Sequence, residues 1–155
     1  MENYKSYKMK IIVPLTLLSL FTLGSCTNYK NICVKIEHIG IQDKPILPLI
    51  ISNVPLSDIE PHTVYCVVNK KTMLILNRAL TEFPSSDECK RGIYTGFGSF
   101  MIKEYTDMEL SKCFILRNKT ESIEFFNKLI KVLVENKCEQ EIINRFNYLV
   151  GRLKD

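Results

Sequence analysis

The chain is poor in the residues on which most recognisable chemistry depends. Its 155 residues include no tryptophan and only two histidines, His38 and His62. No Cys-x-x-Cys occurs, so neither a thioredoxin-like redox pair nor a zinc knuckle is suggested. Gly-x-Ser-x-Gly, His-Glu-x-x-His and Ser-x-x-Lys are also absent. Gly92, Gly96 and Gly98 have the wrong spacing for a phosphate-cradling loop, and no Lys-Ser/Thr follows them. They read instead as marks of a bulge or of tight strand packing. The formal net charge of +4 is small and the basic residues form no stripe, which disfavours nucleic acid as a partner.

Few polar groups suggest a site. His38 and His62 lie near Glu37, Asp58 and Glu60 in sequence; a small metal site is one reading of that grouping, but unpaired histidines at strand ends and in loops are more simply surface or core residues. The carboxylate pairs Asp58/Glu60, Asp87/Glu88 and Asp107/Glu109 sit among turn-forming residues, where solvated acids and caps explain them better than general acid–base work. No catalytic, cofactor-binding or metal-binding residue is therefore assigned, and no cofactor is expected. The aromatic residues Tyr94, Phe97, Phe100 and Tyr105 fall on both faces of a strand. Core on both sides is the simpler reading, with an exposed patch on one side as the alternative.

What is present begins at the amino terminus. Lys5, Lys8 and Lys10 outweigh Glu2, and residues 11–24 then carry no charge. A membrane-spanning helix takes about 20 apolar residues, so the run is short for a permanent span and suits a cleaved signal peptide. Taken alone it would also suit an ordinary secretory peptide or a short buried strand. Leu23-Gly24-Ser25-Cys26 closes it. With that tetrapeptide in its place, residues 1–26 resemble the signal peptide and lipobox of bacterial lipoproteins. The resemblance implies cleavage between Ser25 and Cys26, a diacylglycerol on the Cys26 thiol, and acylation of the new amino terminus.

That resemblance divides the chain into a signal peptide (1–25), the lipidated Cys26 with a short tether (26–32), and one domain (33–155). Burying chain methylenes contributes about 0.8 kcal/mol each, so two or three fatty chains would hold the protein to its membrane. The tether extends at most about 20 Å, at roughly 3.3 Å per residue. The expected location is the cell envelope, on the outer membrane if the cell is Gram-negative, facing the periplasm or the surface. The 155 residues less the first 25 leave 130, enough for one core.

With Cys26 lipidated, Cys33, Cys66, Cys89, Cys113 and Cys138 remain, an odd number that leaves at least one thiol free. Four pairing cysteines would allow three connectivities. Because Cys66 lies in VYCVV and Cys113 in KCFIL, buried thiols are favoured over a disulfide framework.

The period of two at residues 33–37 predicts a strand, with a bulge near His38 to Gly40 as Ile39 and Ile41 shift phase. Pro45 and Pro48 mark residues 49–52 as an edge strand, whereas residues 63–68, β-branched and aromatic, read as a central one. Met73, Leu76, Leu80 and Phe83 predict a helix over 72–83, although residues 73–76 alone would pass for a strand. Residues 93–105 and 112–117 form a hairpin about a turn at 106–109. Asn118 and Glu121 have capping-box spacing ahead of Ile123, Phe126, Ile130, Leu133 and Val134. A break at Asn136 to Cys138 precedes a second stripe of Ile142, Phe146, Leu149, Val150 and Leu153. The fold class is α+β: a mainly antiparallel sheet with one inserted helix and two carboxyl-terminal helices on one face.

Three functional classes fit: an envelope lipoprotein that acts by binding a protein partner or ligand, an immunity-type protein that covers a toxin, and a lipid-anchored hydrolase or thiol enzyme.

Overall fold

A computed structural model describes residues 30–39, 45–90 and 98–155. The expected signal peptide, Ser25, Cys26 and the tether up to residue 29 lie outside the described residues, as do Gly40, Ile41, Gly92, Tyr94, Gly96 and Phe97. Strands β1 (Ile32–His38), β2 (Leu49–Ser52) and β3 (Val64–Val67) come first, followed by helix α1 (Lys70–Leu80) and a 3-10 turn at Asp87–Lys90. The hairpin strands β4 (Phe100–Thr106) and β5 (Glu109–Leu116) then lead into helices α2 (Lys119–Glu135) and α3 (Gln140–Lys154). The five strands lie in the order β3-β2-β1-β4-β5. Three of the pairings are antiparallel, and only β2 with β3 is parallel. This is the expected α+β class. No helix of the described residues is long and apolar enough to cross a membrane.

Strand alternation separates two faces. Val34 and Ile36 lie opposite Glu104 and Ile102 of β4, whereas Lys35 and Glu37 lie opposite Lys103 and Met101. The first face carries the core. Phe83 stacks on Phe114, meets Phe125 edge-on, and through Phe125 and Phe126 the ring contacts run on to Phe100 and Phe146. Edge-to-face packing of this kind adds about 0.5–1.5 kcal/mol per pair beyond the area buried. All three helices bury their apolar faces in this one cluster.

The expected places of two strands are exchanged. Leu49–Ser52 lies between β3 and β1 and is buried along its whole length, while the Thr63–Val68 segment supplies the edge strand. Proline does not oppose this arrangement. Pro45 and Pro48 precede β2 rather than interrupt its ladder, and the Pro48 carbonyl accepts the Val64 N–H at 2.8 Å. The β-branched residues of β3 do not make it central, and Val67 is 52 % exposed.

The helices begin where their caps do. The Asn69 side chain accepts the Thr72 N–H, and α1 starts at Lys70. The Asn118 side chain accepts the Glu121 N–H at 2.9 Å, while the Glu121 carboxylate accepts the Arg117 N–H at 2.7 Å. The expected stripe on α2 is rotated. Phe126 and Leu133 are buried together with Ser122, Phe125 and Leu129, Ile123 and Ile130 sit at the margin, and Val134 is 53 % exposed. Two adjacent phenylalanines pull the buried face to their side. On α3 the stripe of Ile142, Phe146, Leu149, Val150 and Leu153 is buried as expected.

The break between α2 and α3 is a Schellman turn. The Cys138 N–H donates to the Leu133 carbonyl, the Lys137 N–H donates to that of Val134, and Lys137 takes φ 52°, the left-handed position where glycine is commonest. Gly98 fits the tight-packing reading of the glycines. Its φ is +66°, a Cβ there would lie 2.9 Å from the Lys119 Cα, and its carbonyl accepts the Ser122 hydroxyl at 2.7 Å. The register irregularity between β4 and β5 falls at Glu104/Tyr105.

The cysteines correct a second expectation. Cys89 and Cys113 form a disulfide, while Cys33, Cys66 and Cys138 are free. The apolar context of KCFIL predicts a buried thiol, but residues 113 and 115 pair with Lys103 and Met101 on the face away from the helices. Cys113 therefore meets the 3-10 turn that runs beside β5, where the Ser86 N–H donates to its carbonyl. Cys66 is the buried thiol the apolar context implied.

Candidate functional site

Among the described residues, a concavity lies where the chain enters the domain. It has a volume of about 300 Å³ and is lined by the start of β1, by Ser52, by residues 54–58 of the β2–β3 crossover, and by Met108. Each wall is fixed by identifiable bonds. The Asn53 side chain accepts the Ile32 N–H at 2.9 Å and donates to the Lys30 carbonyl at 3.1 Å. From the other side, the Asp107 carboxylate accepts the Asn31 N–H at 2.9 Å. Short polar side chains that bond to nearby backbone are well suited to such clamps.

The crossover wall is equally preformed. The Ser52 hydroxyl donates to the Val54 carbonyl and accepts the Val54 N–H. The Tyr65 hydroxyl donates to the same carbonyl and accepts the Leu56 N–H, both at 2.9 Å. Tyr65 projects from β3 on the face away from the helices, so it ties the crossover down on that face. A cavity whose lining is already bonded loses little freedom when it is filled.

The side chains that reach the cavity favour holding over reacting. Burial pushes the Cys33 thiol up, with Lys35 opposing only in part, so at neutral pH it stays protonated and is a poor nucleophile. Neither histidine is among the lining residues. His38 is at the far end of β1, edge-on to Phe100, with its pKa lowered by burial and its Nε2 unpartnered among the described residues. His62 sits on the crossover with φ 62°. The acids that neighbour them in sequence are used elsewhere: Glu37 bonds Lys35 and Lys103, and Glu60 bonds Lys35. Burial would raise the Glu37 carboxyl, but the two lysines outweigh it and leave the pKa lowered. Among the described residues no three of His, Cys, Asp and Glu are grouped to hold a metal.

The carboxylate pairs are dispersed. Asp58 accepts the Ser57 hydroxyl on the cavity rim, Glu88 pairs with Arg117, and Asp107 clamps the chain entry. Of the aromatics, Phe100 is core and Tyr105 is half-buried on the opposite face. The Asn53 and Asp107 clamps escape a sequence reading, since each resembles an ordinary turn residue. Their signal is positional: an Asx residue directly after β2, and one at the hairpin tip.

No family model, curated protein or solved structure matches the chain. The functional reading therefore depends on the chain's own residues. They supply a preformed recess with two backbone-gripping clamps and a protonated thiol on its wall.

Proposed function

We propose that the protein is a small envelope lipoprotein, anchored by lipid on Cys26 and working by binding rather than by catalysis. The observation that carries this is the order of basic residues, uncharged run and Leu23-Gly24-Ser25-Cys26, joined within a few residues to a domain whose first described residues line a cavity. A recess at the anchored end suits a subunit or accessory module that meets its partner close to the membrane. The protonated Cys33, with neither histidine beside it in the cavity lining, gives no support to a thiol enzyme.

The test is recovery of the lipidated protein with its partners from its own envelope, comparing the natural chain with Ser57→Trp, which puts a bulky ring on the rim of the cavity. The expected result is a partner that co-purifies with the natural chain and is lost with the variant. The same partners from both would take binding away from this cavity, and a toxin as the recovered partner would make the role one of immunity.

A further inference from the structure

We propose that the β4–β5 hairpin tip beside the chain entry touches the lipid bilayer, with Met108 entering the boundary between headgroups and acyl chains and the crossover side of the cavity left to the partner. This rests on the anchor reading above. Met108 is 79 % exposed, the most exposed large hydrophobic side chain among the described residues. It also occupies a costly position. Asp107 and Met108 form the tip of the β4–β5 hairpin with φ 51° and 70°, a mirror-type turn that favours Asn-Gly and disfavours a long side chain. A large apolar group that is both largely solvated and conformationally strained breaks two local rules at once, which is the pattern of a functional position.

Its neighbours extend the patch. Leu110 is 54 % exposed and pairs with Tyr105, which pairs in turn with Cys33 of the cavity wall. The hairpin tip is bonded directly to the chain entry: the Asp107 N–H donates to the Asn31 carbonyl at 2.8 Å, and the Asp107 carboxylate accepts the Asn31 N–H. Cys26 precedes Asn31 by five residues, so a lipid on Cys26 is at most roughly 17 Å of extended chain from that bond. An anchor on so short a lead brings this end of the domain to the bilayer, and the exposed hydrophobes are already there. Asp58, Asp107 and Glu109 are exposed around the patch, so the apolar side chains and not charge attraction make the contact, and zwitterionic lipid is sufficient.

The absence of tryptophan gives a clean probe. Met108→Trp in the full, cell-made protein is placed in phosphatidylcholine nanodiscs with brominated acyl chains, after an intact mass has established whether acyl chains are present. With acyl mass present, the expected result is a blue shift of the tryptophan emission, loss of intensity to brominated lipid and protection from aqueous iodide. Tyr148→Trp, on the exposed side of α3, should remain open to iodide and unaffected by bromine. Leu110→Trp reads the same patch from a regular strand position if the turn variant does not fold. Acylated protein whose tryptophan at 108 or 110 is iodide-accessible and unquenched overturns this inference and leaves the anchor intact. Absence of acyl mass overturns the anchor reading, and this inference falls with it.

Discussion

Asn31 and Asp107 hold each other by two bonds, the Asp107 N–H to the Asn31 carbonyl at 2.8 Å and the Asn31 N–H to the Asp107 carboxylate at 2.9 Å. The pair joins the segment that leads in from the amino terminus to a hairpin tip 76 residues later. On the other side of the same segment, Asn53 bonds Lys30 and Ile32. The entry point is therefore fixed between two strands' loops, and a pull on the amino terminus is delivered to the sheet rather than to a loose end.

Relieving the turn should stabilise the fold. Met108→Gly removes a left-handed cost of about 1–2 kcal/mol, offset in part by the greater freedom of glycine when unfolded. The net expectation is a gain of up to about 1 kcal/mol, seen as a higher urea midpoint with an unchanged slope. A loss of stability would mean that the Met108 side chain is part of the packing.

Gly98→Ala should act in the opposite direction. Positive φ and the 2.9 Å approach to the Lys119 Cα leave no room for a Cβ. The cost should be about 2 kcal/mol or more, since strain and overpacking add. Thermal unfolding of the variant at or above the natural midpoint would contradict the close packing of Gly98 against the start of α2.

Glu139 caps a helix from outside it. Its carboxylate accepts the Asn69 N–H at 2.7 Å and the hydroxyl of the fully buried Thr72, while the Lys71 ammonium bonds the Asn136 carbonyl. Glu139→Ala leaves the buried Thr72 hydroxyl without this acceptor and returns the exposed Asn69 N–H to water, and should cost about 1 kcal/mol. Burial would raise the Glu139 carboxyl, but the bonds from Thr72 and Asn69 outweigh it and leave the pKa lowered. The stabilisation is thus fully present above the unfolded value, about 4.3, and is lost as pH falls through the lower folded value. Urea midpoints measured from pH 6 down to pH 3 should fall less steeply for Glu139→Gln than for the natural chain. Equal slopes would show that the carboxylate plays no part.

The thiols can be counted. Residues 27–155 expressed alone under oxidising conditions, then denatured and alkylated without reductant, should carry three labels, at Cys33, Cys66 and Cys138. Labels at Cys89 or Cys113 would contradict the disulfide. Cys89→Ser opens a link across 24 residues and should cost about 3 kcal/mol in the loop-entropy account.

The sequence displays its helices better than its sheet, for physical reasons. Asn118 and the αL break at Lys137 act over three or four residues, so their meaning is local and readable. Strand order is not local. Nothing within Leu49–Ser52 or Val64–Val67 says which strand lies inside, because that depends on a crossover that lays one parallel to the other. The disulfide was hidden for a related reason: Cys89 meets Cys113 only because the polar segment after α1 runs along β5. Within the candidate site, Cys33 is visible in the sequence, whereas the recess exists through Asn53, Tyr65 and Asp107, three residues that carry no motif.

The central claim is that lipid on Cys26 holds this binding domain at a membrane. The most direct measurement is fatty-acid labelling with membrane fractionation of the natural chain beside Cys26→Ala. The account predicts labelled, membrane-bound natural protein and an unlabelled variant released from the membrane fraction. Equal labelling and equal membrane retention of the two would contradict it.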